Sequence, residues 1–287
     1  MRNTNQLIKY IATITAVCFL YFSCQKMERP KLGNFPRDSN PPGGPLKFYV
    51  AFDGTTADPL MNAVDSIKAN FPSSNPLVPV AGITGKAVKG VPAKDKAIRY
   101  NSANDFANST SWSIAYWMKN VPATDGEPEF HFSLSSKDYW HESGLFLLVE
   151  KGGPDPGNST TGLMACKLAI EDNWVEFVGA DRIPGLLNNQ WHHLVFVYDA
   201  ADSKVRAYVD GILKVTSSPV IRNGAPRGAK PFSNINNLVV GGWNKHGNVS
   251  GPGDGWIHSY SGEMDQFRLY GKALTASEVL ALFNSKL

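Results

Sequence analysis

Residues 191–216 carry the clearest pattern in the chain: three short runs in which side chains alternate between two faces. In residues 191–199, Trp191, Val195 and Val197 fall on one side of an extended strand, and Leu194, Phe196 and Tyr198 on the other. A strand that is apolar on both faces must be covered on both, so it belongs inside a layered sandwich. In residues 204–209, Val205, Ala207 and Val209 share one face, and Lys204, Arg206 and Tyr208 the other. Asp210-Gly211 then predicts a type I′ turn, because both central positions need positive φ, which Asp tolerates and Gly adopts freely. A third antiparallel strand follows to Thr216.

The same alternation predicts strands over 47–52, 85–89, 97–100, 111–118, 129–135, 144–150, 164–170, 174–179, 238–241 and 260–270. Within 111–118, Trp112, Ile114, Tyr116 and Met118 share a face. Residues 55–82, rich in Pro, Asn and Ser, read as an irregular excursion. Only the C-terminus reads as helix. Thr275 is its N-cap, Glu278 completes a capping box, Leu274 and Val279 are spaced for a hydrophobic staple, and Val279, Leu282 and Phe283 form the docking stripe. Many short strands between Gly- and Pro-rich turns, closed by one helix, give an all-β fold: a two-sheet antiparallel sandwich.

The N-terminus changes the picture of where this domain sits. Arg2 and Lys9 precede an apolar run over 11–22, then Ser23-Cys24, which reads as a signal peptide over residues 1–23. A small residue followed by Cys resembles a bacterial lipobox, with Tyr21 departing from the usual aliphatic position; Cys24 is then the lipidation site and the mature N-terminus. Gln25 after it, where an Asp would retain the protein at the inner membrane, implies by the same resemblance an outer-membrane address. Residues 24–45 are a Pro- and Gly-rich tether, and residues 46–287 form one domain.

Lys and Arg total 28 and Asp and Glu 25; losing Arg2 and Lys9 with the leader leaves a near-neutral chain with no basic run, which argues against a nucleic-acid partner. Membrane association is expected through the lipid anchor. Of three cysteines, Cys18 leaves with the leader and Cys24 is acylated, so Cys166 remains as a lone thiol in a strand, a buried apolar side chain without a nearby base.

Several pieces occur in the order found in laminin G-like, concanavalin A-like jelly-roll domains: FDG at 52–54, GKAV at 85–88, SWSIAYWMK from Ser111, WHHLVFVYD from Trp191, AYVDGIL from Ala207 and GEMDQFRLYGKALTASEV from Gly262. The resemblance spans nearly everything from Leu46 onward. It implies a jelly roll serving as a binding or adhesive module. It also implies that first and last strands are neighbours, and that Asp53 and Asp265 join backbone carbonyls around a structural calcium ion. Calcium takes several hard oxygen ligands. In a regular strand Asp265 would share its face with Phe267 and Leu269, a poor place for a bare carboxylate unless a bulge or a cation intervenes. Otherwise both carboxylates cap turns or pair with Arg99 or Arg268.

Two further sets carry candidate chemistry. Adjacent His192 and His193 point to opposite faces of a strand and cannot easily share a metal, so one is expected packed in the core and hydrogen-bonded and the other at the surface. Trp140, Trp243 and Trp256, with Asn244, His246 and His258 nearby, lie in polar or Gly-rich loops and offer ring faces and hydrogen-bonding groups suited to sugar. Covering the ends of the core is the alternative role for these rings. Glu263-Met264-Asp265 resembles the start of a glucanase acidic motif, but Gln266 and Phe267 stand where a further glutamate would follow, which removes one of the two acids glycoside hydrolysis needs. The expectation is a non-catalytic cell-surface lipoprotein binding glycan, or alternatively a protein-adhesive assembly subunit.

Overall fold

The computed structural model describes residues 44–53, 60, 64, 75–91, 96–122, 128–135, 139–151, 165–233, 235–249 and 254–286. The leader, Cys24 and nearly all of the tether lie outside the described residues, as does Gly54.

Two sheets face each other. The larger contains β1 (Leu46–Val50), β2 (Val78–Ala81), β3 (Lys86–Lys89), β5 (Trp112–Lys119), β10 (Trp191–Asp199), β11 (Lys204–Val209), β12 (Ile212–Thr216) and β17 (Glu263–Tyr270). Its order is β12-β11-β10-β5-β17-β3-β2, with β1 also paired to β17. The smaller contains β4 (Ile98–Tyr100), β6 (Glu129–Ser135), β7 (Leu145–Glu150), β8 (Ala165–Ile170), β9 (Asn173–Phe177), β15 (Asn237–Val240) and β16 (His258–Ser259). Its order is β4-β15-β6-β7-β8-β9, and β16 lies parallel to β6 at its start. A two-strand hairpin, β13 (Ile221–Arg222) with β14 (Ala225–Pro226), stands apart.

The alternation read from sequence assigns the faces correctly. Trp112, Ile114, Tyr116 and Met118 of β5 and Leu194, Phe196 and Tyr198 of β10 meet Leu145, Leu147 and Val149 of β7 and Cys166, Leu168 and Ile170 of β8 in the central core. Cys166 is fully buried, and burial pushes its thiol up, out of reach of thiolate chemistry. Val195, Val197 and Tyr208 face the other way, where they pack with Val279 of α1 (Ala276–Ser285). The capping box is present: Thr275 Oγ1 accepts from Glu278 N–H, and the Thr275 N–H donates to Glu278 Oε2 at 2.9 Å. The Asp210-Gly211 turn has φ of 52° and 79°, the type I′ signature.

Two expectations need correction. The stretch expected to be irregular over 55–82 contains β2, an edge strand with Pro79 and mostly exposed side chains that shows no apolar alternation. The histidine pair is arranged differently from the expectation too. His193 is fully buried against the rings of Trp117 (5.1 Å between centroids) and Phe283 of α1 (6.5 Å), and neither of its ring nitrogens has a hydrogen-bond partner among the described residues. Half-buried His192 is the bonded one, to Asp210 Oδ2 at 2.8 Å and Asn188 Oδ1 at 3.0 Å.

Desolvation, reinforced by the positive charge of Arg268, pushes the His193 imidazole down to about 3. Its folded pKa lies below the unfolded value, so the native state binds fewer protons between about pH 3 and 6.5; the stability from keeping it neutral is present above that window and lost as pH falls through it. His193→Phe should therefore flatten the acid limb of the stability–pH curve by up to about 1.4 kcal/mol per pH unit, read from urea titrations at a series of pH values. An unchanged slope would refute a buried neutral imidazole.

Candidate functional site

Two places in the fold gather the residues singled out by sequence. The first is where β17 changes partner. Glu263 and Met264 pair with β3, whereas Phe267 to Tyr270 pair with β1, and the register of β17 against β5 shifts between Asp265 and Arg268. This bulge puts Met264 and Phe267 both in the central core and removes Asp265 from their face. Left-handed backbone brackets the site: Phe52 before Asp53 has φ of 58°, and Gln266 after Asp265 has φ of 51°. Such φ values are unfavourable for residues other than glycine and concentrate at functional positions.

Both carboxylates fasten the turn between β2 and β3. Asp53 Oδ1 accepts the Lys86 N–H at 2.5 Å, and Asp265 Oδ2 accepts the Ile83 N–H at 2.9 Å. Gly82 and Gly85 make this approach possible: a Cβ on Gly82 would collide with Asp265 Oδ2 and lie 2.6 Å from Thr84 O and 2.8 Å from Lys86 O, and one on Gly85 would collide with Asp53. Carboxylate and carbonyl oxygens thus converge on one side of the turn. Asp265 is fully buried, and its Oδ1 has no hydrogen-bond partner among the described residues. Burial first, then the charge of Asp53, pushes its pKa up to about 8 against the bonds that favour the anion; Asp53 is raised by burial as well. An orphaned buried oxygen beside a second carboxylate and converging carbonyls fits a hard divalent cation. No group of three or more His, Cys, Asp or Glu side chains able to hold a metal occurs among the described residues, so carbonyls and water would supply the other ligands. Around the bulge, Gln266 Nε2 donates to Thr84 Oγ1 and to Lys286 O at the end of α1, and Arg268 lies 4.1 Å from the centre of the Tyr49 ring.

The second place is the outer face of the smaller sheet. Phe130, Phe146, Leu148 and Ala169 point outward there and are covered by Trp140, Trp243 and Ile257. Trp243 is only 1 % exposed, which corrects the expectation that it flanks a ligand surface. Asn244 and His246 are equally buried; the Trp243 N–H donates to His246 Nδ1 at 3.3 Å, and Asn244 Oδ1 accepts from Asn237 Nδ2 at 3.4 Å. These two side chains shape the turn from inside and present nothing to a ligand. His258 is half-buried and sits in β16 beside Glu129. The ring most available is Trp256, 50 % exposed, standing edge-on to Trp140 with centroids 6.1 Å apart.

Trp140 itself is nearly buried, with its Nε1 donating to Asp254 Oδ2 at 2.5 Å, and Tyr139 donates to the same oxygen. Trp174 also stands edge-on to Trp140, at 6.1 Å, and is 41 % exposed. Sequence reasoning passed over Trp174 as the start of a strand. The signal was present in Asn173–Phe177, where Val175 and Phe177 point inward and so turn Trp174 and Glu176 outward. Two open indoles, each edge-on to a ring fixed by Asp254, form an aromatic cluster with exposed faces.

Comparison with known proteins fits this architecture. No curated protein gives a significant sequence match. Domain 4 of the GH43 extracellular arabinanase AbnA from Geobacillus stearothermophilus, solved in complex with arabinotriose, is 19 % identical over 83 % of this chain and 97 % of that one, with a TM-score of 0.52. The botulinum neurotoxin serotype D binding domain is 12 % identical over 84 % of this chain, with a TM-score of 0.57, and a botulinum neurotoxin DC binding domain in complex with SialylT is 10 % identical with a TM-score of 0.52. This chain spans about half the length of those toxin domains. At such identities the likeness is one of fold. Residues 92–280, however, match the Laminin_G_3 family, and the chain belongs to this family of the concanavalin A-like lectin/glucanases superfamily.

Proposed function

We propose that the protein is a non-catalytic, lipid-anchored carbohydrate-binding module that uses Trp256 and Trp174 as its stacking surface and a calcium ion between Asp53 and Asp265 as a structural tie. The observation that carries the reading is the pair of exposed indoles set against the buried Trp140. Stacking on a sugar needs flat apolar faces held rigidly beside polar groups, and Asp254 and Tyr139 supply the latter. Domains of this fold solved in complex with arabinotriose and with SialylT support a carbohydrate ligand. Absence of catalysis is supported by the motif that most resembled a catalytic one. Glu263 lies 3.1 Å from Lys119 and 3.8 Å from Lys89, while Asp265 is sealed off from solvent, so the two do not face one another across a cleft.

The cation would serve the fold. Through Asp53 and Asp265 it would join the end of β1, the β2–β3 turn and the bulge of β17, neutralising two carboxylates that burial otherwise drives toward protonation.

Three measurements test this. Glycan-array screening with arabino-oligosaccharides included should give a ligand whose affinity falls tenfold or more in Trp256→Ala with melting nearly unchanged, as for loss of a stacking ring contributing ~1 to 3 kcal/mol by analogy with bases. Trp243→Ala should instead cost about 3 to 5 kcal/mol of stability. Equal binding by the Trp256 variant would remove the aromatic cluster from the ligand site.

Calcium should raise the melting temperature of the chelator-treated protein and release protons on binding near pH 7, because a raised folded pKa leaves Asp265 partly protonated there until the ion displaces the proton. Without calcium, the contribution of Asp265 falls as pH rises from about 4 to 8, since ionising the buried carboxylate favours the unfolded state; His193 opposes it below about pH 6.5, so the net fall is read between about pH 6.5 and 8. Melting insensitive to both calcium and chelator would leave the carboxylates as turn anchors alone.

Membrane attachment is tested separately: Cys24→Ser should move the protein from the detergent-dependent membrane fraction to the soluble one. Retention in the membrane fraction would eliminate the anchor.

A further inference from the structure

The open edge of the smaller sheet is a feature that carbohydrate binding on the aromatic cluster does not use. Among the described residues β9 pairs with β8 on one side alone. The turn between them, Glu171-Asp172, has φ of 49° and 66° and is type I′, so Ile170 and Asn173 close it as a hydrogen-bonded pair. Hydrogen bonding to β8 then falls to Asn173, Val175 and Phe177, and the main-chain N–H and C=O groups of Trp174 and Glu176 point to the open edge.

That edge forms one wall of a cleft of about 510 Å³, the other wall being residues 216–221. The far wall is fixed from behind, with Ser217 N–H donating to Val205 O at 2.8 Å and Val220 N–H to Ser203 O at 2.7 Å. Glu171 adds a clasp, since its carboxylate binds Arg222 Nη1 and accepts the Ser233 N–H at 2.8 Å. The cleft is therefore held open between two braced segments.

Its charge is one-sided. Asp172, Glu176 and Asp181 line it, together with Thr216, Ser217 and Ser218, and no lysine or arginine does. Among the described residues Asp172 is approached by one group that can be positive, His141 at 3.9 Å, and Lys167, opposite Glu176 on β8, is paired with Glu150 at 2.6 Å. A second copy of the same edge would bring like charges together, so pairing of two such edges is disfavoured.

We propose that this cleft is a strand-addition site that takes an extended peptide bearing lysine or arginine as a further strand of the smaller sheet. Main-chain groups of Trp174 and Glu176 recur at the two-residue repeat of a β-strand, which a peptide matches and a sugar chain does not. The acidic lining selects cationic side chains, and Trp174 lends a ring face to them. Trp174 is shared with the carbohydrate reading, but the main-chain edge and the acidic lining are used by the peptide alone and Trp256 by the sugar alone, so the two readings are separable.

The test uses the full chain in detergent and a fluorescently labelled, end-blocked hexapeptide of alternating lysine and valine, followed by anisotropy. Saturable binding is expected, with at least a tenfold loss in Asp172→Lys/Glu176→Lys and a similar loss when the peptide amides that would face β9 are N-methylated. Trp256→Ala should leave peptide affinity unchanged. Any one of three results overturns the proposal: no saturable binding up to about 1 mM peptide, equal binding of the N-methylated peptide, which would indicate ion exchange, or binding of a glucosamine oligomer but not the peptide.

Discussion

The middle of the larger sheet bears large apolar side chains on both faces, and this double burden governs what surrounds it. β5 and β10 press Trp112, Tyr116, Phe196 and Tyr198 against the smaller sheet while Ala115, Val195 and Val197 face away from it. Leaving either face in water would expose several large side chains, each contributing about 1.5 to 3 kcal/mol when buried. The smaller sheet covers one face. The C-terminal helix covers part of the other, which explains why a domain built mainly of strands carries a capped amphipathic helix at its end. The same need recurs on the smaller sheet, where outward-facing Phe130, Phe146 and Leu148 draw Trp140, Trp243 and Ile257 over them.

Two buried polar residues of this frame, Asp265 and Gln266, sit where regular pairing breaks. The partner change of β17 produces the bulge at Asp265 and Gln266, and there the two carboxylates, the β2–β3 turn and the end of the helix are joined by hydrogen bonds. A regular strand would have kept Asp265 in line with Phe267 and Leu269. The bulge is thus both the solution to a burial problem and the origin of the cation-suited geometry.

Most of the strands were legible because they obey alternation, and the helix because its cap is local: Thr275 and Glu278 need only each other. β2 was not legible, since an edge strand with Pro79 and exposed side chains has no burial to record in its pattern. The aromatic loops were read by their own composition, and there local chemistry misleads. Trp243 stands in a polar, glycine-rich sequence and looks exposed, yet what buries it is the apolar outer face of β6 and β7, a property of other segments. Gly242, whose Cβ would crowd Ala97 and His246, lets that turn lie close enough to insert the ring. Trp174 was missed for the opposite reason: its strand was recognised, but its outward face was not followed to the loops that meet it. Asp53 and Asp265 were singled out through family resemblance, whereas the glycines that let both carboxylates reach the β2–β3 turn were visible only in three dimensions.

The pairing of β1 with β17, Leu46 opposite Tyr270 and Val50 opposite Phe267, has a consequence for how the chain reaches its native state. The first strand of the domain must wait for the last. The β6–β7–β8–β9 meander joins neighbours in sequence and is free to assemble as it emerges, but β1 has no native partner until residues 263–270 are made. Closing a loop of that length is entropically slow, which places completion of the larger sheet among the last events of folding. Until residues 263–270 are made, Phe48 and Val50 stay without their core, and the exposed apolar strand is in that interval a point at which the chain can associate wrongly.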